Sequence, residues 1–321
     1  MTSPGKPPDD QRPAASHRGL LYASDDELLA GVLPFAAEGL REGDRVLAVT
    51  TGATMELLRE QLGEDADRID SHEAKRWHGH PPRTLAAYDD YVRSHAPVAG
   101  CVRIITEPAW SGRTVVERRE WARHEALLNV AFAHSAAQIV CLYDTRSASA
   151  PVVRDCLRTH PELLEGGVRR RSANYLDPVS FNARCDTEPL PGPRPPCEQL
   201  AFSLPNLHEV RTRAYRRATV SGVPMARARG FVLAVNEVAT NAIQHGGGNG
   251  HLILWCDDRS LICQISDSSG PITPPFPGHL PPGVNCEHGR GLWLARQLCE
   301  LVQIRTGDTG STVRLHISLE P

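Results

Sequence analysis

The stretch "VNEVATNAIQHGGGNG", residues 235–250, places three polar side chains four residues apart and then runs into four glycines within five residues. Side chains four apart lie on one face of an α-helix, so Glu237, Asn241 and His245 share a stripe. Apolar residues recur at three- and four-residue steps through the same stretch and form a second stripe that can pack on a sheet. The pattern predicts a helix over 225–245 that the glycine run brings to an end.

The polar stripe has the chemistry of a magnesium and proton-transfer site. A carboxamide oxygen, here that of Asn241, is a neutral ligand for a hard cation such as Mg²⁺. A carboxylate one turn away, Glu237, can orient a metal-bound water or accept a proton from a nucleophile. The competing interpretation of this stretch alone is a helix face that is merely solvated. For His245, a role as a helix-end cap or packing residue competes with ligand contact.

Three downstream motifs favour the functional interpretation. "ISDSSGP" ends an apolar strand at Asp267, whose carboxylate can accept a hydrogen bond from an exocyclic amine such as that of adenine. "HGRGLWLARQL" opens a helix with Gly289 and Gly291, and the free N–H groups at a helix start suit a phosphate chain. "GSTVRL" begins the last strand with Gly310 and Thr312, which can meet the phosphates or the floor of an adenine pocket.

In this order and spacing, the four motifs resemble the N, G1, G2 and G3 boxes of the GHKL superfamily, which binds ATP in a Bergerat fold. Within that superfamily, "FVLAVNEVATNAIQHG" and "GRGLWLARQLCE" are most similar to the anti-sigma-factor serine kinases of bacterial partner-switching systems. The resemblance implies ATP and Mg²⁺ as cofactors, with Glu237 as catalytic base and Asn241 as magnesium ligand. It also implies nucleotide contacts from Asp267, Gly270, Gly289, Arg290, Gly291, Leu292 and Thr312.

One motif departs from the family pattern. The usual D-x-G-x-G of the G1 box is here Asp267-Ser268-Ser269-Gly270-Pro271, so Ser269 and Pro271 replace both motif glycines. Less backbone freedom at this turn reshapes or weakens adenine binding. The departure keeps open a second function, an ATP-dependent protein-binding switch without phosphotransfer.

A third function, an atypical sensor histidine kinase, needs a phosphoacceptor histidine on a dimerising hairpin before the ATP domain. That place is occupied by the proline-rich stretch "DTEPLPGPRPPCEQ", and His208 falls on the expected first helix of the ATP domain itself. Serine or threonine phosphorylation of a partner is therefore favoured. The resemblance implies a sigma factor and a STAS-type anti-sigma antagonist as partners, and a homodimer.

The rest of the chain divides into a tail, a first domain and a linker. We expect a disordered tail over 1–15, a sensory domain over 16–178, a proline-rich linker over 179–197 and the ATP-binding domain over 198–321. Helical and strand patterns alternate in the first domain, which predicts a mainly parallel sheet with helices on both faces. The expected fold class is α/β: a RecA/KaiC-like domain followed by a Bergerat-fold α/β sandwich.

The first domain resembles the MEDS sensory domain through "HRGLLYASDDELLAGVLPFAAEGLREGDRVLAV", "ITEPAW", "WARHEALLNVAF" and "CLYD" followed by "THPEL". Its expected signal is a small molecule or a protein. The strand–turn–helix at Thr50-Thr51-Gly52 lacks the lysine and second glycine of a phosphate loop, so ATP hydrolysis there is not expected. The residues of a candidate sensory site are His17, Tyr22, Glu107, Glu125, Asn129, Cys141, Asp144 and His160.

Three of these side chains are compatible with zinc. Cys141, Asp144 and His160 offer a thiolate, a carboxylate and an imidazole. Their positions on separate elements favour the competing interpretation, which is buried packing and helix-end caps.

Composition argues against other partners. The chain carries 35 basic and 38 acidic residues for a formal charge of −3, with no basic stripe for nucleic acid and no polybasic anchor. Apolar runs stay well short of a membrane span, and the first residues lack the apolar centre of a signal peptide. We therefore expect a cytoplasmic protein that contacts neither nucleic acid nor membrane directly.

Overall fold

The computed structural model describes residues 15–268, 270, 272, 276–280, 282, 290–307 and 310–319. The tail predicted over 1–15 thus lies outside the described residues apart from Ala15. The chain divides into two compact units, Met1–Asn182 and Ala183–Pro321, called here the N-terminal and C-terminal units.

The N-terminal unit is built on a seven-stranded, mainly parallel sheet with the order β3-β2-β4-β5-β1-β6-β7. Only the β6–β7 pair is antiparallel. The strands are β1 (Ser16–Tyr22), β2 (Arg45–Thr50), β3 (Asp70–Glu73), β4 (Val102–Thr106), β5 (Ala137–Asp144), β6 (Glu162–Glu165) and β7 (Val168–Arg171).

The helices of this unit are α1 (Asp25–Glu42), α2 (Gly52–Leu62), α3 (Ala74–Trp77), α4 (Pro81–Ala99), α5 (Val115–Ala131) and α6 (Ala150–Thr159). A further helix, α7 (Pro178–Cys185), contains the division between the units. Two side chains cap the start of α1. Ser24 accepts a hydrogen bond from the Glu27 backbone N–H, and the Glu27 carboxylate accepts one from Ala23. Both satisfy amides that would otherwise be unpaired at the helix start.

Helices cover both faces of this sheet because alternate strand residues point to opposite sides. Leu20 of β1 and Val140 and Leu142 of β5 pack in one core with α1 and α2. On the other face, the space above Gly19 is filled by Cys156 and His160, which belong to α6 and its C-terminal end.

A buried arginine ties α1 to β4. The Arg103 side chain is 3% exposed and pairs with Glu38 at 2.8 Å, Glu42 at 2.7 Å and Asp44 at 2.7 Å. It also donates to the Phe35 carbonyl. A buried cation is tolerated only when it is paired in this way.

We predict that Arg103→Ala lowers the free energy of unfolding by about 3 kcal/mol, since it leaves the buried Asp44 carboxylate without its cation. Urea denaturation followed by tryptophan fluorescence measures the change. The control is Arg93→Ala, which removes an exposed pair with Asp89 on α4 and should cost about 0.5 kcal/mol. Equal effects of the two substitutions would contradict the structural role of Arg103.

The C-terminal unit is a five-stranded antiparallel sheet with helices on one face, in the order β11-β12-β10-β9-β8. Its strands are β8 (Cys197–Ser203), β9 (Asn249–Cys256), β10 (Ser260–Asp267), β11 (Leu301–Gly307) and β12 (Gly310–Ser318). Its helices are α8 (Leu207–Val220), α9 (Met225–His245) and α10 (Arg290–Leu298). The bounds of α9 coincide with those expected from the sequence.

The apolar stripe of α9 lies in the core of this unit. Phe231, Val235, Val238 and Ala242 are all buried and cluster with Leu252, Leu254, Cys263, Ile265 and Leu315 of the sheet. Burying such side chains stabilises the docked helix by about 1.5–3 kcal/mol for each large residue. The neighbouring stripe, with Glu237 and Asn241, is consequently held at the edge of the core and half-exposed.

The segment predicted as a linker is structured over much of its length. It contains the end of α7, and β8 begins at Cys197. Asp186 pairs with Arg305 at 2.7 Å, and the Pro191 carbonyl accepts a hydrogen bond from Arg314, also at 2.7 Å. These two arginines, of β11 and β12, donate to a carboxylate and to a backbone carbonyl of the segment and hold it against the sheet.

Among the residues that the structure describes, none of the helices combines the length and apolar character needed to cross a bilayer.

Candidate functional site

The polar stripe of α9 faces the start of α10. A β-carbon added to Gly291 would lie 3.0 Å from Glu237 Oε2 and 3.3 Å from Asn241 Nδ2. Glycine therefore lets the N-terminal turn of α10 approach the carboxylate and the carboxamide closely. An added methyl group would press on the ends of both side chains.

The end of α9 meets the end of β10. A β-carbon on Gly246 would lie 2.7 Å from both Cβ and Cγ of Asp267 and would also overlap the Ala242 carbonyl. Gly247 and Gly248 then adopt φ of 87° each, a region that favours glycine. The glycine run thus turns the chain away from α9 while the backbone passes directly beside the Asp267 side chain.

The first residues of β12 complete this edge. Gly310, at φ 145°, lies against the Asp267 carbonyl with no room for a β-carbon. Thr312 is paired in register with Ser266, and their hydroxyl oxygens lie 3.0 Å apart. The Ser311 hydroxyl donates to the Gly270 carbonyl at 3.2 Å. Residues from the predicted G1 and G3 motifs are therefore neighbours.

α10 is held in place by its own arginine. Arg296, which is buried, donates to the Pro277 carbonyl at 3.1 Å and to the Val302 carbonyl at 2.9 Å. Gly278, at φ 69°, packs on the backbone of Leu292 and Trp293 so closely that a β-carbon could not fit. The loop residues 276–280 and β11 together fix the helix whose start faces Glu237.

Of the nucleotide-binding residues predicted from the sequence, Gly289 lies outside the described residues, as do Ser269 and Pro271 of the altered turn. Arg290 is exposed at the first position of α10, and Leu292 follows Gly291 in the same turn. His245 is exposed at the last position of α9. The remaining residues, Glu237, Asn241, Asp267, Gly270, Gly291 and Thr312, lie along one connected edge of the unit.

In the N-terminal unit, four of the predicted sensory residues converge. His17 of β1, Glu125 of α5, Cys141 of β5 and His160 at the end of α6 are all buried, and one ligand atom from each lies within 4.8 Å of the others. Burial, together with the neighbouring His160, lowers the pKa of His17 to about 4. Burial also raises the pKa of the Cys141 thiol, to which the Glu125 carboxylate adds.

Three other predicted residues lie at the carboxyl edge of the same sheet. Tyr22 and Asp144 end the neighbouring strands β1 and β5, and Glu107 follows β4. Arg146 is 2.9 Å from the Asp144 carboxylate and lies 5.8 Å from the centre of the Tyr22 ring. Its hydrogen bonds hold the pKa of Asp144 below the usual range. The sequence offered Cys141, Asp144 and His160 as compatible with zinc. In the structure, Asp144 is paired with an arginine and does not join the other two.

The turn between β2 and α2, where a phosphate loop would bind its phosphate, instead binds the side-chain carboxylate of Glu107. Glu107 Oε2 accepts hydrogen bonds from the Thr51 backbone N–H at 2.9 Å, the Thr51 hydroxyl at 3.0 Å and the Thr54 hydroxyl at 2.8 Å. These are the donors at the start of α2 that a phosphate would otherwise use. This contact agrees with the sequence, which lacks a phosphate-loop lysine at this turn.

The comparisons with protein families match both halves of the chain. Residues 16–161 match the model of the MEDS domain, described as the methanogen/methylotroph, DcmR sensory domain. Residues 200–317 match the histidine kinase-like ATPase domain. The chain is a MEDS sensory domain followed by a histidine kinase-like ATPase domain. An ATPase domain of this family implies ATP binding, typically with Mg²⁺.

Solved structures include a match to the RsbU and RsbW domains of Rv1364c from Mycobacterium tuberculosis, at 18% sequence identity and a TM-score of 0.28. The match spans 37% of this chain and 32% of that chain. No curated protein matches the chain.

Sequence reasoning missed part of how the ATPase domain is assembled. Gly246 was assigned only to the end of a helix, whereas its α-carbon packs on Asp267. Ser266 and Ser311 were not singled out, although their hydroxyls join β10, β12 and the Gly270 turn. The one sequence signal for Gly246 is its place directly after the helix, because close backbone approach requires glycine.

We predict that Gly291→Ala weakens Mg·ATP binding by the ATPase domain about tenfold, equivalent to about 1.4 kcal/mol. The methyl group would displace the ends of the Glu237 and Asn241 side chains, which can move without unfolding the domain. Calorimetric titration of the full chain measures the affinity.

The control for this substitution is Gly307→Ala, because a β-carbon there would meet no atom within 4 Å. Unchanged Mg·ATP affinity in Gly291→Ala would show that the phosphates do not bind beside Glu237 and Asn241.

Proposed function

We propose that this chain is a signal-responsive regulator that binds Mg·ATP and phosphorylates a protein partner on serine or threonine. The observation that supports this most directly is the position of Gly291 opposite Glu237 and Asn241. That position gives a carboxylate, a carboxamide and the free N–H groups of a helix start in one place.

The residues fit the nucleotide. Asp267 would accept a hydrogen bond from the adenine amino group, and the first turn of α10 would hold the phosphates with its N–H groups. Asn241 would hold Mg²⁺ through its carboxamide oxygen. The bound cation neutralises the charge of the triphosphate. Thr312 and Gly270, joined through the Ser266 and Ser311 hydroxyls, would form the floor of the site.

Glu237 would act on the partner. Its carboxylate accepts the proton of the attacking serine or threonine hydroxyl, whose oxygen forms the new bond to the γ-phosphorus. The bond from that phosphorus to the bridging oxygen breaks, and ADP leaves with the electron pair. In such transfers the protein mainly positions the groups and stabilises charge, with a general base contributing about 10²- to 10⁴-fold.

The proposed partners follow from the resemblance to anti-sigma-factor kinases seen in the N-box and G2-box residues. They are a sigma factor, which the domain would bind, and a STAS-type antagonist, which it would phosphorylate. A homodimer belongs to the same proposal. The MEDS domain would respond to a small-molecule or protein signal.

A second candidate function is a nucleotide-dependent binding switch that does not transfer phosphate. The feature that favours it is the altered G1 turn, in which serine and proline stand where the family has glycines. Autophosphorylation on histidine has less support. His208 is exposed in the first turn of α8, and Val210, Ala214 and Ala218 of this helix lie in the core of the ATPase domain.

We predict that Glu237→Gln lowers transfer of labelled phosphate from Mg·ATP to a purified STAS-domain partner by about 10²- to 10⁴-fold. Because the glutamine is nearly isosteric, ATP affinity should stay within about threefold. Asn241→Ala should lose both binding and transfer. Gln244→Ala, at an exposed position of the same helix, is the matched control and should retain both.

The same assay separates the alternatives. ATP-dependent complex formation without label transfer would replace the kinase by the switch. Acid-labile label on this chain that disappears in His208→Ala would instead establish a histidine kinase.

A further inference from the structure

We propose that His17, Glu125, Cys141 and His160 form a buried transition-metal site in the MEDS domain, and that its metal is Zn²⁺. These four residues are called the buried cluster below. The proposal is independent of nucleotide binding by the ATPase domain.

Three separations within the buried cluster approach those of a tetrahedral ligand set, and its four ligand atoms lie within 4.8 Å of one another. His17 Nε2 lies 3.2 Å from Cys141 Sγ and 3.6 Å from Glu125 Oε2, and His160 Nε2 lies 3.3 Å from the same carboxylate oxygen. Zinc bonds of about 2.0–2.3 Å at tetrahedral angles place ligand atoms about 3.3–3.7 Å apart. The two separations to the carboxylate oxygen lie in this range, and the nitrogen–sulfur separation is about 0.3 Å shorter than a shared zinc ion would give.

The tautomer of His17 is fixed by a neighbouring amide. Asn129 donates through Nδ2 to the Thr159 carbonyl at 2.8 Å and to the Ala126 carbonyl at 3.2 Å. Its oxygen therefore faces His17 Nδ1, at 3.2 Å, and must accept the proton of that nitrogen. The lone pair of His17 consequently lies on Nε2, which points into the cluster.

The backbone fixes His160 in the same way. Its Nδ1 lies 2.9 Å from the Cys156 carbonyl oxygen, which can only accept. Nε2 is again the nitrogen with the lone pair, and it points at Glu125. Metal-binding histidines characteristically donate their second ring N–H to a carbonyl or carboxylate oxygen, and both histidines of the cluster do so.

The buried cluster therefore gathers acceptors without a donor for all of them. Glu125 Oε2 and His160 Nε2 are buried and have no hydrogen-bond partner among the described residues. No lysine or arginine among the residues that the structure describes forms an ion pair with Glu125, whose side chain is 2% exposed. A buried carboxylate without a lysine or arginine partner is costly, and a cation bound by all four residues would remove that cost.

The strand and the surface both leave room for the site. A β-carbon on Gly19 would lie 3.1 Å from His160 Cγ and 2.8 Å from Cys156 Sγ, so glycine lets the His160 ring approach β1. A cavity of about 170 Å³ borders His17 and Asn129 and is also lined by Phe132, Pro161 and Arg169. Of the four cluster residues, His17 borders this cavity, which therefore lies beside the cluster.

The donor set selects zinc. Two imidazoles, one thiolate and one carboxylate are all common zinc ligands, and four protein ligands describe a closed, structural site. Calcium and magnesium prefer oxygen ligands, and a thiolate disfavours them. Binding would release the Cys141 thiol proton to solvent, since only the thiolate coordinates.

The test uses the full chain purified in metal-free buffer after expression in zinc-supplemented medium. We expect about one zinc per chain by elemental analysis. Replacement by Co²⁺ should give a thiolate-to-cobalt charge-transfer band that is absent from Cys141→Ser. The matched control Cys101→Ser changes another buried cysteine of the same unit and should keep both metal and band.

A second variant tests the contact that orients His17. Asn129→Ala keeps all four ligands and should weaken zinc binding about 10- to 100-fold in competition with a fluorescent chelator. If Cys141→Ser does not fold, chelator treatment of the unmodified chain replaces it, and thermal stability should then fall and be restored by zinc. The absence of zinc together with the absence of a cobalt–thiolate band would overturn the proposal. The four side chains would then be joined by hydrogen bonds alone. Retention of the band in Cys141→Ser would overturn it as well.

Discussion

The packing of one apolar face of α9 on the five-stranded sheet is the constraint on which the candidate ATP site depends. Phe231, Val235 and Val238 are almost wholly buried against the sheet, so the helix cannot rotate about its axis without exposing them. Since side chains at four-residue spacing share a face, this packing directs Glu237 and Asn241 toward α10. The apolar stripe, and not the polar residues, docks the helix on the sheet. The positions of the polar residues are therefore set by this neighbouring apolar stripe.

In the MEDS domain, the alternation of side chains along β-strands sets the direction of polar groups in a similar way. Leu20 and Val140 face the core beneath α1 and α2, which sends their strand neighbours to the other face of the sheet. His17 and Cys141 lie on that second face, where Glu125 of α5 and His160 of α6 meet them. In both domains a hydrophobic core therefore fixes the direction of polar groups that it does not contain. Such groups can be placed accurately without relying on flexible loops.

Local pattern was enough to predict α9, the end of β10 at Asp267 and the start of β12 at Gly310, because periodicity and turn residues are encoded over a few positions. It was not enough for β8, an edge strand whose alternation is weak, or for the packing of the proline-rich segment on Arg305 and Arg314. The candidate sensory residues were identified as a set, but their division into two groups depends on strand register and on which helix covers which face. Cys141 and Asp144 are three residues apart on β5, so their side chains point to opposite faces of the sheet. The contact of His17 with Cys141 joins residues 124 positions apart, and such contacts leave no local signal.

The proposed function depends on ATP binding where α9, the end of β10, the start of α10 and the start of β12 meet. Amide hydrogen exchange of the full chain, with and without saturating Mg·ATP, tests it most directly. The account predicts slower exchange confined to residues 237–246, 265–268, 290–293 and 310–313. Unchanged exchange in all four segments, or protection at Thr51 and α2 instead, would contradict it.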